Sequence, residues 1–367
     1  LMVEFLEIPY RDILLAAMVP AMLHYFGVLM MVHLEAKKLG LRGLARSEMP
    51  RLADALSRNW PTLIPLGLLI YMILAGRSPD YAAFWGVVSC IVVGALNPRH
   101  RLGLRDLIGG MRTGAQYALG VGAAAAAVGV VIGVVTLTGT GFRLSAMVTQ
   151  SAAQLGHSLA AIVPFGLASA AALTLFFTLL FTAIACIIMG AGIPTTTTYI
   201  ILVSLIAPAL ALQGVTPLVA HFFVFYYGVL ADITPPVALA AYAAAGIAGA
   251  DLFRTGNTAF RLAIAKALVP FVFVYSPAML IVVDGFTWTA FAITVGGALI
   301  GIGLIGSAFT GFLLARMTSI ERWVLGAASL LFISPGLSSM AIGAVVCAPV
   351  LMRQAVAWRR ERSSRAG

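Results

Sequence analysis

Charged residues are scarce in this sequence, and their scarcity excludes an ordinary soluble globular protein. Only 10% of the 367 residues are Asp, Glu, Lys or Arg, against about 25% in a typical soluble domain. The three cysteines, Cys90, Cys186 and Cys347, each lie in an apolar run without metal-ligand spacing, so we interpret them as packing residues. A glycine-rich phosphate loop and a nucleophile paired with a base are both lacking, which argues against ATP hydrolysis and against an enzyme.

Long apolar runs make up most of what is present. Hydrophobic residues account for 61% of the chain, and most runs are about 18 to 25 residues long, enough for a helix to cross a hydrocarbon core of roughly 30 Å. Their apolar character is continuous, which excludes the alternating strands of a β-barrel. The sequence therefore predicts an all-α, polytopic transmembrane protein. The expected spans are 12–33, 60–76, 81–97, 116–137, 160–189, 195–213, 216–231, 258–283, 287–314 and 323–352.

Basic residues lie mainly between these runs. The net charge is +10, and the positive-inside rule places the basic first and third loops, the 316–322 loop and the C-terminal tail in the cytoplasm. We interpret the charge as an orientation signal that also meets anionic lipid headgroups. No nucleic-acid partner is expected, because aromatic residues do not interleave with the basic ones.

Two local patterns modify this topology. One straight span over 323–352 would contradict a cytoplasmic tail, so the Ser334-Pro335-Gly336 break predicts a short hairpin or re-entrant pair. Residues 47–58 begin with Ser47 and have Pro50 at an early helical position, which predicts an interfacial helix.

A weak internal repeat is visible. Ala17-Met18-Val19-Pro20 with Tyr25 recurs as Ala267-Leu268-Val269-Pro270 with Tyr275, giving four identities at an offset of 250 residues. Secondary transporters are commonly built from repeats, although four matches in apolar sequence also arise by chance. If the repeat is real, most of its first half would precede Leu1, so we expect the chain to be the C-terminal part of a longer protein.

The first interruption at membrane depth is 190–198, Gly190-Ala191-Gly192-Ile193-Pro194-Thr195-Thr196-Thr197-Thr198. Glycine permits non-helical backbone, and proline removes an amide donor, so carbonyl oxygens are freed. Such backbone is tolerated in a membrane only where it lines a cavity or is buried in protein. Carbonyl and hydroxyl oxygens are hard, neutral ligands, which favours Na⁺ over a soft metal.

The second interruption is 228–236, which contains Asp232-Ile233-Thr234-Pro235-Pro236. Asp232 is the only acid between Asp106 and Asp251, and an ionisable residue within a span predicts function. Alternatively, Asp232 caps a half-helix that begins at Pro235-Pro236, or lies near the interface. Helices beginning after Pro194 and Pro236 would direct partial positive charge at a carboxylate substrate. His221, within an aromatic run, is interpreted as a packed or interfacial residue.

These motifs resemble a known family. Gly190-Ala191-Gly192-Ile193-Pro194-Thr195-Thr196, the segment 220–228 and Asp232-Ile233-Thr234-Pro235-Pro236 are similar to the large, DctM-like membrane subunit of tripartite ATP-independent periplasmic (TRAP) transporters, in the fused TAXI-type branch. The resemblance covers essentially the whole chain. It implies an inverted-repeat, elevator-type fold with a re-entrant hairpin and broken helices, of which the first repeat is incomplete here.

The resemblance also implies a function and its site. The function is sodium-coupled import of small organic acids across the bacterial inner membrane. The implied partners are a TAXI-type periplasmic solute-binding protein and a small TRAP membrane subunit or its fused N-terminal equivalent. Na⁺ is the coupling ion, and no other cofactor is expected. The implied ion- and substrate-binding residues are Gly190, Gly192, Pro194, Thr195, Thr196, Asp232, Thr234, Pro235 and Pro236, with Na⁺ held through Gly190, Gly192, Thr195 and Thr234.

We divide the chain into four parts on this basis. Residues 1–58 end the first repeat and carry an amphipathic cytoplasmic loop, and 59–114 form a connecting transmembrane hairpin with a basic loop. Residues 115–285 form the second repeat and transport core, and 286–367 form the C-terminal spans and tail. The competing hypothesis is a non-transporting membrane scaffold or assembly subunit whose interruptions merely bend helices.

Overall fold

A computed structural model describes residues 1–41, 43, 45, 49, 51–96, 102–162, 169–190, 195–235, 238–334 and 336–364. Most of the described residues are helical, and none forms a β-strand. The predicted all-α class is therefore confirmed. The helices are α1 (Met2–Leu6), α2 (Tyr10–Lys38), α3 (Leu52–Leu74), α4 (Pro79–Leu96), α5 (Leu104–Thr138), α6 (Thr140–Ile162), α7 (Ala170–Gly190), α8 (Thr195–Ala211), α9 (Pro217–Ala231), α10 (Leu239–Ala248), α11 (Leu252–Ala263), α12 (Val269–Tyr275), α13 (Trp288–Thr310), α14 (Ser319–Ile333) and α15 (Leu337–Ser364).

Within the described part of the chain, six helical segments are long and apolar enough to cross a membrane. These six are Tyr10–Lys38, Pro79–Leu96, Ala170–Gly190, Leu252–Tyr275, Trp288–Thr310 and Leu337–Arg360. Three further apolar segments are shorter: Leu63–Leu74, Thr195–Ala211 and Pro217–Ala231. The prediction of a polytopic helical membrane protein is confirmed.

Two of the predicted apolar spans, 160–189 and 258–283, are not single continuous helices, although the second overlaps the candidate membrane span Leu252–Tyr275. In 160–189, α6 ends at Ile162 and α7 begins at Ala170. The sequence has Pro164 just after α6, and a residue that precedes proline is disfavoured in a helix. In 258–283, the chain passes from α11 through a 3-10 segment, Ile264–Leu268, into the short helix α12 and a second 3-10 segment, Pro277–Leu280.

The predicted interfacial helix over 47–58 is helical from Leu52 and forms the start of a longer helix, and its place at an interface stays a prediction. Helix α3 begins at Leu52, after the N-cap Arg51, and continues without interruption to Leu74. Ser47 and Pro50, on which the prediction depended, lie outside the described residues. The first turns of α3 therefore belong to a longer helix, which contains Pro61 and Pro65 in its interior.

The predicted break near residue 335 is confirmed. Helix α14 ends at Ile333, Ser334 has extended backbone, and α15 begins at Leu337; Pro335 lies outside the described residues. The two helices pack together, and Arg353 on α15 forms an ion pair with Glu321 near the start of α14. The segment is thus a helical hairpin, although α15 is long enough to span a membrane rather than short.

The chain divides into two compact units, described here one at a time. The smaller comprises Leu1–Leu14 and Arg42–Ala127. In it α3 packs against α4, and a Cβ at Gly86 would lie 3.4 Å from Leu69 Cδ1. The turn between them includes Gly76, whose φ of 76° favours glycine. Helices α3 and α4 thus form a packed pair, and the connecting transmembrane hairpin expected over 59–114 stays a prediction.

The larger unit comprises Leu15–Leu41 and Val128–Gly367. In its core α7 packs against α6, α8 and α9. One face of α7 is buried and carries small side chains at every fourth position, which is the spacing of one helix face. These are Thr174, Thr178, Thr182, Cys186 and Gly190. Their small volume lets neighbouring helices approach closely, as at Gly156 of α6, where a Cβ would lie 2.5 Å from Thr174 Oγ1.

Helices α13, α14 and α15 enclose a second apolar cluster in this unit. Its buried members include Leu304, Leu325, Phe332, Cys347 and Val350. Burial of Cys186 and Cys347 agrees with their interpretation as packing residues, whereas Cys90 is exposed on α4. The four-part division of the chain made from the sequence remains a prediction.

The buried side chain of Glu321 links α14 to α15 at the end of the hairpin that lies opposite its turn. Glu321 accepts hydrogen bonds from the Thr318 backbone N–H at 2.7 Å, from Gln354 Nε2 at 3.4 Å and from Arg353. Burial alone would raise the pKa of the Glu321 carboxyl, but these hydrogen bonds together lower that pKa below its ordinary 4.5. The carboxylate therefore stays charged and holds both helices.

Helix α2 is tied to distant parts of the chain by its C-terminal half. Glu35 pairs with Arg261 of α11 at 2.8 Å, and Lys38 Nζ donates to the Thr310 carbonyl oxygen at 2.7 Å. A cation is favourable at the carbonyl end of a helix, so Lys38 stabilises the end of α13. These contacts fix α2 against the second half of the larger unit.

Candidate functional site

The first predicted interruption separates α7, which ends at Gly190, from α8, which begins at Thr195. The two helices pack against each other. Thr195 is half-buried and Thr196 is exposed, both in the first turn of α8. Gly192 and Pro194 were predicted as site residues and lie outside the described residues.

The second interruption follows α9. Asp232 is the C-cap of α9, and Thr234 Oγ1 donates to the Leu230 carbonyl oxygen at 2.9 Å. Pro235 is half-buried, and Pro236 lies outside the described residues. Helix α10 begins only at Leu239, so the expectation that a half-helix begins at Pro235-Pro236 is wrong.

Asp232 does not cap that next helix, which corrects the alternative interpretation of this residue. The N-cap of α10 is Ala238, without a side-chain cap, and its backbone has φ 31°. Ala238 is fully buried. A non-glycine residue in the left-handed region costs of order 1–3 kcal/mol and persists only where its surroundings enforce it. The start of α10 is therefore a strained position beside the second interruption.

The two interruptions meet in space through Thr195 and Asp232. Thr195 Oγ1 donates a hydrogen bond of 3.1 Å to Asp232 Oδ2, joining residues that are 37 positions apart. A hydrogen bond to a charged group contributes about 1.5–3 kcal/mol. We call this meeting point of the two interruptions the junction. The predicted site residues that lie at it are Gly190, Thr195, Asp232 and Thr234.

Glycine makes the junction possible. A Cβ on Gly190 would lie 2.9 Å from Ala231 Cβ, 3.0 Å from Thr198 Cγ2 and 3.3 Å from the Gly228 carbonyl oxygen. A Cβ on Gly228 would lie 3.2 Å from Thr198 Cγ2. The ends of α7 and α9 therefore cross at van der Waals contact of their backbones, beside the first turn of α8.

The charges at the junction favour a cation. The C-terminal ends of α7 and α9 carry the partial negative charge of their helix dipoles, and Asp232 adds a carboxylate. Hydroxyl and carbonyl oxygens of Gly190, Thr195 and Thr234 are hard ligands of the kind that Na⁺ accepts. Among the described residues, no group of three or more His, Cys, Asp or Glu side chains is placed to hold a metal, so a transition-metal centre has no support there.

Packing behind the junction holds its helices in place. His221 of α9 is 9% exposed, and its Nδ1 lies 2.7 Å from the Tyr199 hydroxyl of α8. Ser145 of α6 donates to the Leu205 carbonyl oxygen of α8 at 2.9 Å. His221 is thus a packed residue, as its aromatic surroundings predicted.

Sequence reasoning missed Lys266 and His24, two polar residues close to the second interruption. Lys266 Nζ lies 3.0 Å from His24 Nε2, and both border a small cavity that also touches Leu230. The available signal was that Lys266 is the only Lys or Arg between Arg261 and Arg316. His24 had been interpreted as an interface residue, and its lysine partner lies 242 positions away.

The family model for the DctM component of the tripartite ATP-independent periplasmic transporters matches residues 1–288. The chain belongs to this family. DctM-family proteins are membrane permeases, not enzymes, and the family implies an inner-membrane location and association with a periplasmic binding protein and a small membrane subunit. The chain matches no curated protein and no solved structure.

The extent of the DctM match is narrower than the resemblance predicted. It ends at residue 288, the first residue of α13. Both interruptions and their junction therefore lie within the family region, while the remainder of α13 and the α14 and α15 hairpin lie beyond it.

Proposed function

We propose that this chain is the permease part of a sodium-coupled importer of small organic acids. In this proposal it belongs to the fused TAXI-type branch and receives its substrate from a TAXI-type periplasmic solute-binding protein. The observation that carries the proposal is the Thr195–Asp232 hydrogen bond, because it brings both interruptions to one place.

Sodium binds, in this proposal, at the junction. Thr195 Oγ1 donates a hydrogen bond to Asp232, and Thr234 Oγ1 donates one to the Leu230 carbonyl. Because each hydroxyl proton is used in this way, the lone pairs of both oxygens are able to coordinate a cation. The Gly190 carbonyl lies at the end of α7, where the helix dipole favours positive charge. We expect Gly192 to add a further carbonyl oxygen.

The carboxylate of the substrate binds beside the sodium ion. Helix α8 begins at Thr195 and is 17 residues long, so its N-terminus presents backbone N–H groups and partial positive charge to an anion. Ion and substrate then neutralise each other, which couples their binding. We propose that the C-terminal ends of α7 and α9 move together in an elevator-like motion, since they are packed at Gly190 and Gly228.

The basic residues support a cytoplasmic C-terminus. Lys38, at the end of α2, contacts the Thr310 carbonyl at the end of α13. Arg353 of α15 contacts the Arg316 carbonyl and Glu321 in the segment that follows α13. These contacts place three basic segments on one side of the larger unit, as the positive-inside rule requires. The segments are the start of the first loop at Lys38, the 316–322 loop and the start of the C-terminal tail.

The test is sodium binding to the purified chain, measured as the rise of the thermal unfolding midpoint when NaCl replaces choline chloride. We expect Thr195→Val and Asp232→Asn to raise the apparent sodium dissociation constant about 10- to 100-fold, which is the loss of one charge-assisted contact. Thr258→Val is the matched control, because the Thr258 hydroxyl bonds to the Arg254 carbonyl of its own helix.

The outcome decides between transport and the scaffold hypothesis. Loss of the sodium response in the two junction variants, with the control unchanged, supports the proposal. A sodium response that is equal in all variants would exclude the proposed sodium site. The absence of any sodium response in the unmodified chain would favour the scaffold hypothesis. Sodium-driven uptake in proteoliposomes containing the full transporter and its binding protein then tests coupling directly.

A further inference from the structure

Lys266 is a basic residue within an apolar segment, and within the described part of the chain no acidic residue forms an ion pair with it. It lies in the 3-10 segment Ile264–Leu268, inside the candidate span Leu252–Tyr275. The ion pairs found among the described residues do not include Lys266. A charge within a membrane span is costly and usually marks a substrate or ion pathway.

Its polar neighbour is a histidine, which brings no negative charge. Lysine has only donor protons, so Lys266 Nζ donates to His24 Nε2 across 3.0 Å, and that nitrogen is the unprotonated one of a neutral ring. The position is fixed by close backbone packing, since a Cβ on Gly27 would lie 3.4 Å from Lys266 N. The contact with His24 leaves the ammonium group two further donor protons.

A small cavity lies beside this pair. It has a volume of about 10 Å³ and is lined by His24, Tyr226, Tyr227, Leu230, Lys266 and Pro270, among others, which is room for about one water-sized group. Leu230 is also the residue whose carbonyl accepts the Thr234 hydroxyl. The cavity therefore borders the second interruption, two residues before Asp232.

We propose that Lys266, positioned by His24, binds a second carboxylate of the transported organic acid, in addition to the one placed at the start of α8. One carboxylate oxygen fits the cavity, and the rest of the anion lies on the exposed side, since Lys266 and His24 are both only half-buried. The anion supplies an acidic partner for Lys266, and Leu230 in the wall of the cavity is two residues before Asp232 of the proposed sodium site. This inference rests on the proposed function and specifies where its substrate binds.

The test is anion binding to the purified full chain at constant sodium concentration. Succinate is the probe, succinamide is its uncharged control, and the readout is the thermal unfolding midpoint. We expect succinate, but not succinamide, to stabilise the unmodified chain. Lys266→Met should raise the apparent dissociation constant for succinate about 10- to 100-fold. Lys266→Arg should retain most of the binding, as should Lys37→Met, which removes an exposed lysine of α2.

The result also separates this inference from the proposed function. If Lys266→Met does not fold, the comparison of Lys266→Arg with His24→Gln decides, since only loss of the positioning residue should weaken succinate binding. Equal succinate affinity in all variants, or no succinate response in the unmodified chain, overturns the inference. A sodium response that persists in that case leaves the proposed function intact, whereas loss of the sodium response overturns the proposed function itself.

Discussion

Replacing Gly190 by alanine should separate the two interruptions. The added Cβ would lie 2.9 Å from Ala231 Cβ, and two carbon atoms attract best at roughly 3.5–4.0 Å. One helix end must therefore move by at least about 0.6 Å. If the end of α9 moves away, the 3.1 Å Thr195–Asp232 bond lengthens to about 3.7 Å, beyond the range of a hydrogen bond.

The energetic cost of this substitution combines two opposing effects. Overpacking a tight site costs about 1–3 kcal/mol, while replacing glycine by alanine in a helix returns about 0.5–1 kcal/mol. We therefore expect Gly190→Ala to lower the free energy of unfolding by about 0.5–2 kcal/mol. It should also weaken sodium-dependent stabilisation, because Thr195 and Asp232 no longer meet.

The matched control for Gly190→Ala is Gly246→Ala in α10. A Cβ on Gly246 would have no heavy atom within 4 Å, so this variant should gain about 0.5–1 kcal/mol from helix propensity alone. Thermal and denaturant unfolding of the purified variants, with NaCl and with choline chloride, measure both effects. If Gly190→Ala is as stable as Gly246→Ala and responds equally to sodium, the close crossing of α7 and α9 is refuted.

Two further predictions concern the C-terminal helices. Gly297→Ala should lower the thermal unfolding midpoint, because a Cβ on Gly297 would lie 2.5 Å from the Phe332 carbonyl oxygen. Gly296→Ala should leave the midpoint unchanged, because a Cβ there would have no heavy atom within 4 Å. Equal midpoints in the two variants would contradict the packing of α13 against α14. Because folding lowers the pKa of Glu321, the charged carboxylate stabilises the folded state above pH 4.5. This stabilisation is lost as the pH falls below that value. Acid unfolding curves of the unmodified chain and Glu321→Gln should therefore differ above pH 4.5 and converge below it, and parallel curves would exclude this role.

The sequence predicted the parts of this fold that depend on local composition. Apolar runs gave the helix class and most spans, and the Gly, Pro and Thr clusters placed both interruptions correctly. Where the apolar runs misled, they contained local backbone changes, as at Ser169, which is not helical and directly precedes α7. Composition reports that a segment is apolar, but it does not distinguish one helix from two helices joined within the same run.

The site was predictable only residue by residue. Glycine, threonine and aspartate at membrane depth identified Gly190, Thr195 and Asp232, but the hydrogen bond between the last two depends on how α8 and α9 pack. The Lys266–His24 pair was hidden for the same reason, since its members are 242 positions apart. Side-chain pairing over such separations is a property of tertiary packing, which neither spacing nor hydropathy encodes.

The contacts of α2 have a consequence for the order in which this protein assembles. Its partners lie 226, 242 and 272 positions later, at Arg261, Lys266 and Thr310. Synthesis proceeds from the N-terminus, so α2 enters the bilayer long before the ribosome has made Arg261, Lys266 or Thr310. Until then Glu35 and Lys38 can pair with each other, as they do at 3.8 Å in the folded chain, while His24 lacks Lys266. Until α13 is complete, this helix must be shielded by another protein or remain loosely packed, and chains stalled before residue 310 should be preferred substrates for membrane quality-control proteases.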